Sequence, residues 1–193
     1  NSFFFLAVPL AVLGLPGSFG KFVEYYRTRR QLGGYVRYVG MLSGCGLLAL
    51  CVLMLLQSDL FLWLIFGTQH SMRVLGLSIL ALVAVTLFSY VYDLVAGLRQ
   101  VRVASLMQFV QSCSFAVLGL GGLWLYGQWQ VLLAAFAVAN LLAMLPAAWV
   151  LFARHADDLG WSSAADNETF TGKELIRRIL PYAATLWLMN LLS

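Results

Sequence analysis

Five long apolar runs occupy most of this chain and leave it few ways to fold: Ser2–Phe19, Tyr38–Phe66, Val74–Ala96, Ala104–Tyr126 and Trp129–Ala153. A helix that crosses a bilayer needs about 20 mostly apolar residues. Within lipid every backbone polar group must be satisfied internally, so runs of this kind form helices. The second run is long for one span, and Gln57, Ser58 and Asp59 interrupt it; its tail, "LFLWLIF", reads as an interfacial turn or an extra helix. A sixth run begins near Leu175 and is cut at Ser193.

Composition agrees with a bilayer. The chain is 10% charged and 62% hydrophobic, against about 25% charged residues in soluble domains. So little charge cannot coat a water-facing surface. The expected fold is an all-α, polytopic transmembrane helical bundle. Asn1 is not a start methionine and the last run is incomplete, so a fragment of a longer membrane protein is expected. The first run lacks the basic lead and small-residue cleavage site of a signal peptide, so it reads as a span.

The stretch "GLPGSFGKFVEYYRTRR", Gly14 to Arg30, resembles a phosphate-binding loop at first sight. That motif has four residues between its first glycine and the Gly-Lys pair, then Ser or Thr to hold magnesium. Here five residues separate Gly14 from Gly20, and Phe22 follows Lys21. The match to a nucleotide-binding loop is therefore weak. Topology explains the positive charge instead. If alternate connections share a side, Lys21, Arg27, Arg29, Arg30, Arg37, Arg99, Arg102, Arg154, Lys173, Arg177 and Arg178 fall together, eleven of the twelve basic residues. Only Arg73 falls opposite. Basic residues stay in the cytoplasm, so the start of the chain is expected outside and the connection at 154–174 in the cytoplasm. The net charge of +4 then needs no nucleic acid.

The connections are short except for "RHADDLGWSSAADNETFTGKE", Arg154 to Glu174. The expected organisation is a five-helix part at 1–153, a cytoplasmic linker at 154–174 and the start of another helix at 175–193. Pro9, Pro16, Pro146 and Pro181 punctuate the spans, each as a kink or a hinge. Cys45, Cys51 and Cys113 lie within spans without CxxC spacing and read as small apolar packers. His70 and His155 fall on opposite sides of the membrane and cannot share a metal. No cofactor box, paired-carboxylate or Ser-His-Asp arrangement is visible.

Polar groups in lipid are costly and usually face a bundle interior or a watery cavity. In the fourth run Ser105, Gln108 and Ser112 fall within about 60° of one another at helical spacing, and Gly119 continues the face. Interhelical hydrogen bonding and a cavity wall are both open readings. Asn140 is flanked by Ala139, Ala143 and Ala147, which suggests tight packing. Asp93, beside the basic "GLRQVR", is expected to pair locally with Arg99 or Arg102, with a coupling role open. Glu24 stands three residues from Lys21 and from Arg27, a spacing that allows ion pairing. Lys21 lies nearer the membrane than the arginines that follow it, so it is the better cavity candidate.

Two stretches carry a family resemblance. "GLPGSFGKFVEYYRTR" resembles the end of the second helix of polysaccharide flippases in the multidrug/oligosaccharidyl-lipid/polysaccharide exporter superfamily, with a Gly-Leu-Pro-type turn and then a basic residue, Lys21. "DLVAGLRQVRVASLMQF", Asp93 to Phe109, is similar to the junction of that family's fourth and fifth helices. The 154–174 linker also sits where the family joins its two six-helix bundles. The resemblance covers the whole chain, as helices two to six plus the start of seven. It implies a transporter of lipid-linked (polyprenyl diphosphate) oligosaccharide in the inner membrane, working by alternating access on an ion gradient. No covalent chemistry, cofactor or metal is needed, and membrane lipids and other polysaccharide-assembly proteins are the expected partners. On this reading Lys21, Glu24, Ser105, Gln108, Ser112 and Asn140 are cavity candidates, and Asp93 and Arg99 candidates for coupling or gating. The rivals are a multidrug exporter of the same superfamily, a membrane-embedded glycosyltransferase or ligase using the same lipid carrier, and a non-transporting scaffold. The basic mouth of the first helix favours an anionic cargo over a drug cation. The outer connections offer only Asp59, His70 and Arg73 to an enzyme.

Overall fold

The computed structural model describes residues 19–28, 31–61 and 72–154, with the side chains of Lys21 and Arg154 outside that description. The first apolar run up to Ser18, the linker beyond Arg154 and the sixth run likewise lie outside the described residues. Among the described residues six helices follow one another: α1 Phe19–Thr28, α2 Leu32–Leu56, α3 Met72–Gly97, α4 Val101–Tyr126, α5 Gln130–Ala143 and α6 Leu145–Arg154. There is no strand among the described residues. α2, α3, α4 and the continuous stretch Gln130–Ala153 are each long and apolar enough to cross a membrane. The fold is an all-α polytopic bundle.

Local sequence explains where the helices stop. α2 begins at Leu32, earlier than the apolar run at Tyr38, because Leu32, Tyr35 and Val39 fall on one buried stripe while Arg37 is exposed. One arginine on the outer side does not break the helix. α2 ends at Gln57, with φ −116° and ψ 46°, at the start of the polar Gln-Ser-Asp interruption. Helix resumes at Ser58 through Phe61. α4 ends at Gly127, whose φ of 62° is left-handed and whose N–H still donates to the Leu123 carbonyl at 2.9 Å. Glycine takes that conformation without a Cβ penalty. The last long run divides at Met144 into α5 and α6, just before Pro146, which has no N–H to continue the ladder.

The turn between α3 and α4 closes by a double bond pattern: Gln100 N–H donates to Val95 O at 3.1 Å and Arg99 N–H to Ala96 O at 3.0 Å. This is a Schellman end, whose left-handed position usually holds glycine. Here Arg99 occupies it, with φ 59°.

Packing ties the helices into one body. At one end, Phe19, Val23 and Tyr26 of α1 meet Leu32, Tyr35 and Val39 of α2, Leu94 and Val95 of α3, Met107 of α4, and Ala147 and Leu151 of α6. Further along, Leu47 and Met54 of α2 cluster with Leu75 and Leu82 of α3. α3 meets α5 through Ala81, Ala84 and Ala137, small residues that let two helices approach closely. α4 and α5 form the most extensive contact, an antiparallel hairpin. A Cβ at Gly122 would collide with Val131, and one at Gly119 would stand 3.3 Å from Leu132. The outer surface carries large apolar side chains, among them Val117, Leu120, Trp124 and Trp149. In water such a surface would aggregate; in a bilayer it faces acyl chains.

Candidate functional site

The polar row on α4 is open. Ser105, Gln108 and Ser112 are all exposed, while α4 packs through Ala104, Met107 and Gly119. Their side chains make no hydrogen bond to another described helix. Among the described residues, then, the interhelical-bonding reading finds no partner for these three side chains. Gly119 leaves the row, since Leu132 covers it. Phe109 shares the open face, and Arg102, also exposed, lies one turn before Ser105. The arrangement offers hydroxyl and amide groups along a helix that is otherwise apolar, with a guanidinium at its end. It can hydrogen-bond water or a polar guest.

Asn140 is placed differently. It is fully buried, with Ala139, Ala143 and Ala147 each at 0% exposure, and its Nδ2 donates to the Phe136 carbonyl of its own helix at 2.7 Å. Its Oδ1 has no partner among the described residues. Asn140 thus lies in the packed interior and not beside the α4 row.

α1 holds the basic segment against the bundle. Phe19, Val23 and Tyr26 form its buried face, so α1 itself packs into the bundle. A Cβ on Gly97 of α3 would stand 3.0 Å from the Phe19 carbonyl oxygen. Glycine is what lets α1 lie there. Glu24 and Arg27 are on the exposed side, and the Thr28 hydroxyl donates back to Glu24 O at 3.0 Å and Tyr25 O at 2.9 Å. The Lys21 side chain, and with it the Lys21–Glu24 pairing, is outside the described residues, as are Arg29 and Arg30.

The expected ion pair of Asp93 is not made. Asp93 is partly buried on α3, whereas Arg99 and Arg102 are exposed beyond the helix-ending turn, and none of the three has an ion-pair partner among the described residues. Asp93 lies within α3, whereas Arg99, itself left-handed, and Arg102 lie beyond its end.

Several features escaped the reading of polar residues. Tyr90 Oη donates to the Val36 carbonyl at 2.7 Å, joining α3 to α2. Around it Phe19 meets Tyr35 and Tyr90 edge-on, with ring centroids 5.6 and 5.3 Å apart, and Tyr26 stacks on Tyr35 at 4.6 Å. The density of tyrosines near one end of the spans was the available signal, because these rings favour membrane interfaces. Ser43 and Thr86 are buried in the spans and were not singled out. Cys45 and Cys113 are exposed, so they do not pack the interior; Cys51 is half-buried.

With this geometry in view, the sequence comparison is decisive at the family level. The profile of the family described as "polysaccharide biosynthesis protein" matches residues 1–193. The chain belongs to that family. No curated protein and no solved structure matches it. Membership and the spanning helices together make this a membrane protein of polysaccharide biosynthesis.

Proposed function

We propose that this family member works within a transporter that carries a lipid-linked oligosaccharide or polysaccharide precursor across the inner (plasma) membrane by alternating access. The observation that carries the reading is the open row Ser105, Gln108 and Ser112 on α4. Polar side chains at membrane depth are costly unless water or a polar partner meets them, and a cargo of sugars and diphosphate supplies both needs. In this reading the row lines the aqueous path, and Lys21, one turn from its alternative partner Glu24, meets the polyprenyl diphosphate. Asp93 and Arg99, at the turn between α3 and α4, gate the movement of the bundle. An ion gradient drives the cycle, and no bond is made or broken. The basic residues gathered on one side support a cytoplasmic α1–α2 connection and an outer start of the chain. Other polysaccharide-assembly proteins are the expected partners.

The test uses the full-length protein in liposomes loaded with a fluorescent polyprenyl-diphosphate sugar. Cargo should change leaflet faster than in protein-free vesicles, and Gln108→Leu or Lys21→Ala should abolish that gain at unchanged membrane abundance. A new glycosylated product without leaflet exchange would favour a glycosyltransferase or ligase. Movement of drug cations in place of the lipid would favour a multidrug exporter.

A further inference from the structure

We infer that Ser43 and Thr86 together bind one buried water in the seam between α2 and α3, near mid-membrane. The inference does not depend on the transport reading.

α2 and α3 run antiparallel, and their contacts set a register. Leu47 and Met54 of α2 share one cluster with Leu75 and Leu82 of α3, and an antiparallel register puts Met54 level with Leu75 and Leu47 with Leu82. At the other end of the seam Tyr90 bonds to Val36 O, and a Cβ on Gly40 would stand 3.1 Å from Tyr90 Oη. One turn from Leu47 towards Gly40 is Ser43; one turn from Leu82 towards Tyr90 is Thr86. The two hydroxyls therefore share a level, between a pair of leucines and a tyrosine. Both lie near the centres of helices long enough to span the bilayer.

Their hydrogen bonding is unusual. A serine or threonine inside a helix ordinarily donates back to the carbonyl one turn earlier. Ser78 does so, to Val74 O at 2.8 Å. Ser43 is 4% exposed and Thr86 3% exposed, yet neither hydroxyl has a hydrogen-bond partner among the described residues. They bond neither to their own helices nor to each other. Two orphaned hydroxyls at one level are costly to leave unpaired, so each calls for a hydrogen-bond partner. A buried water needs two to four polar partners. Ser43 Oγ and Thr86 Oγ1 supply two, and the Val39 and Leu82 carbonyls, one turn earlier on each helix, have spare lone pairs. Asn140 Oδ1, the remaining orphan, is on α5, which meets α3 through Ala81 and Ala84 and so on another face.

Hydroxyl-radical footprinting of the full-length protein in detergent tests the proposal, because a bound water generates radicals beside buried side chains. Leu47 and Leu82 should be oxidised in the wild type, should fall to background in Ser43→Ala and Thr86→Val, and should stay oxidised in Thr86→Ser. In unfolding experiments each hydroxyl-free variant should lower the folded-to-unfolded ratio about threefold, the size of an average side-chain hydrogen bond in a membrane protein. The double variant should do no worse than either, because one loss already releases the water. Absent labelling in the wild type, unchanged labelling in the variants, additive losses, or gains in stability would each overturn the proposal. A wild-type stability that depends on sodium or potassium would also overturn it, since it would make the guest a cation.

Discussion

Gly97→Ala tests how α1 is held. The new Cβ would stand 3.0 Å from the Phe19 carbonyl oxygen, 3.1 Å from its carbon and 3.1 Å from Val23 Cγ2. Two of these atoms are backbone and cannot rotate away. α1 must therefore shift as a body, loosening Phe19 and Val23, both 0% exposed. Overpacking of this kind costs about 1–3 kcal/mol. Replacing glycine by alanine returns up to about 1 kcal/mol inside a helix, and less here, because Gly97 is the last residue of α3. The net loss is about 1–2 kcal/mol. In a chain of this size each kcal/mol moves Tm by about 2–4 °C. Gly76→Ala is the control: it lies within the same helix, and a Cβ there meets nothing within 4 Å. Thermal unfolding in detergent should show Gly97→Ala melting below wild type and Gly76→Ala at or above it. If Gly97→Ala melts no lower than Gly76→Ala, the close approach of α1 to α3 is not a constraint on the fold.

Two further outcomes follow from the turns and the charge pattern. Arg99→Gly should raise unfolding stability by about 1 kcal/mol, the cost of left-handed backbone in a residue with a Cβ; a loss in the same thermal assay would mean that the Arg99 side chain makes a stabilising contact. With the three native cysteines replaced, Thr28→Cys should resist an impermeant thiol reagent in intact cells and Gln128→Cys should react; the reverse pattern would invert the topology.

Much of the fold was legible because lipid makes apolar length a strong signal. Val74–Ala96 and Ala104–Tyr126 fall inside α3 and α4 with small changes at their ends. The start of α2 was misjudged because Arg37 looks like a loop residue in a linear string, whereas only its face of the helix matters. Spacing put Ser105, Gln108 and Ser112 on one face, but periodicity cannot say whether that face is covered. The answer came from Ala104 and Met107, which pack while the polar row stays open. The absent Asp93–Arg99 pair has a similar cause. Proximity in sequence suggested it, whereas Asp93 lies inside α3 and Arg99 stands in a left-handed helix end that no glycine announced.

The central claim is that the polar face of α4 meets an aqueous path, and cysteine accessibility tests it most directly. In the full-length protein without native cysteines, embedded in membrane, Gln108→Cys is compared with Leu106→Cys, exposed on another side of the same helix at nearly the same depth. An impermeant maleimide should modify Gln108→Cys, and lipid-linked sugar should slow that reaction, while Leu106→Cys remains unmodified. Equal labelling of the two, or labelling of Leu106→Cys alone, would contradict the account.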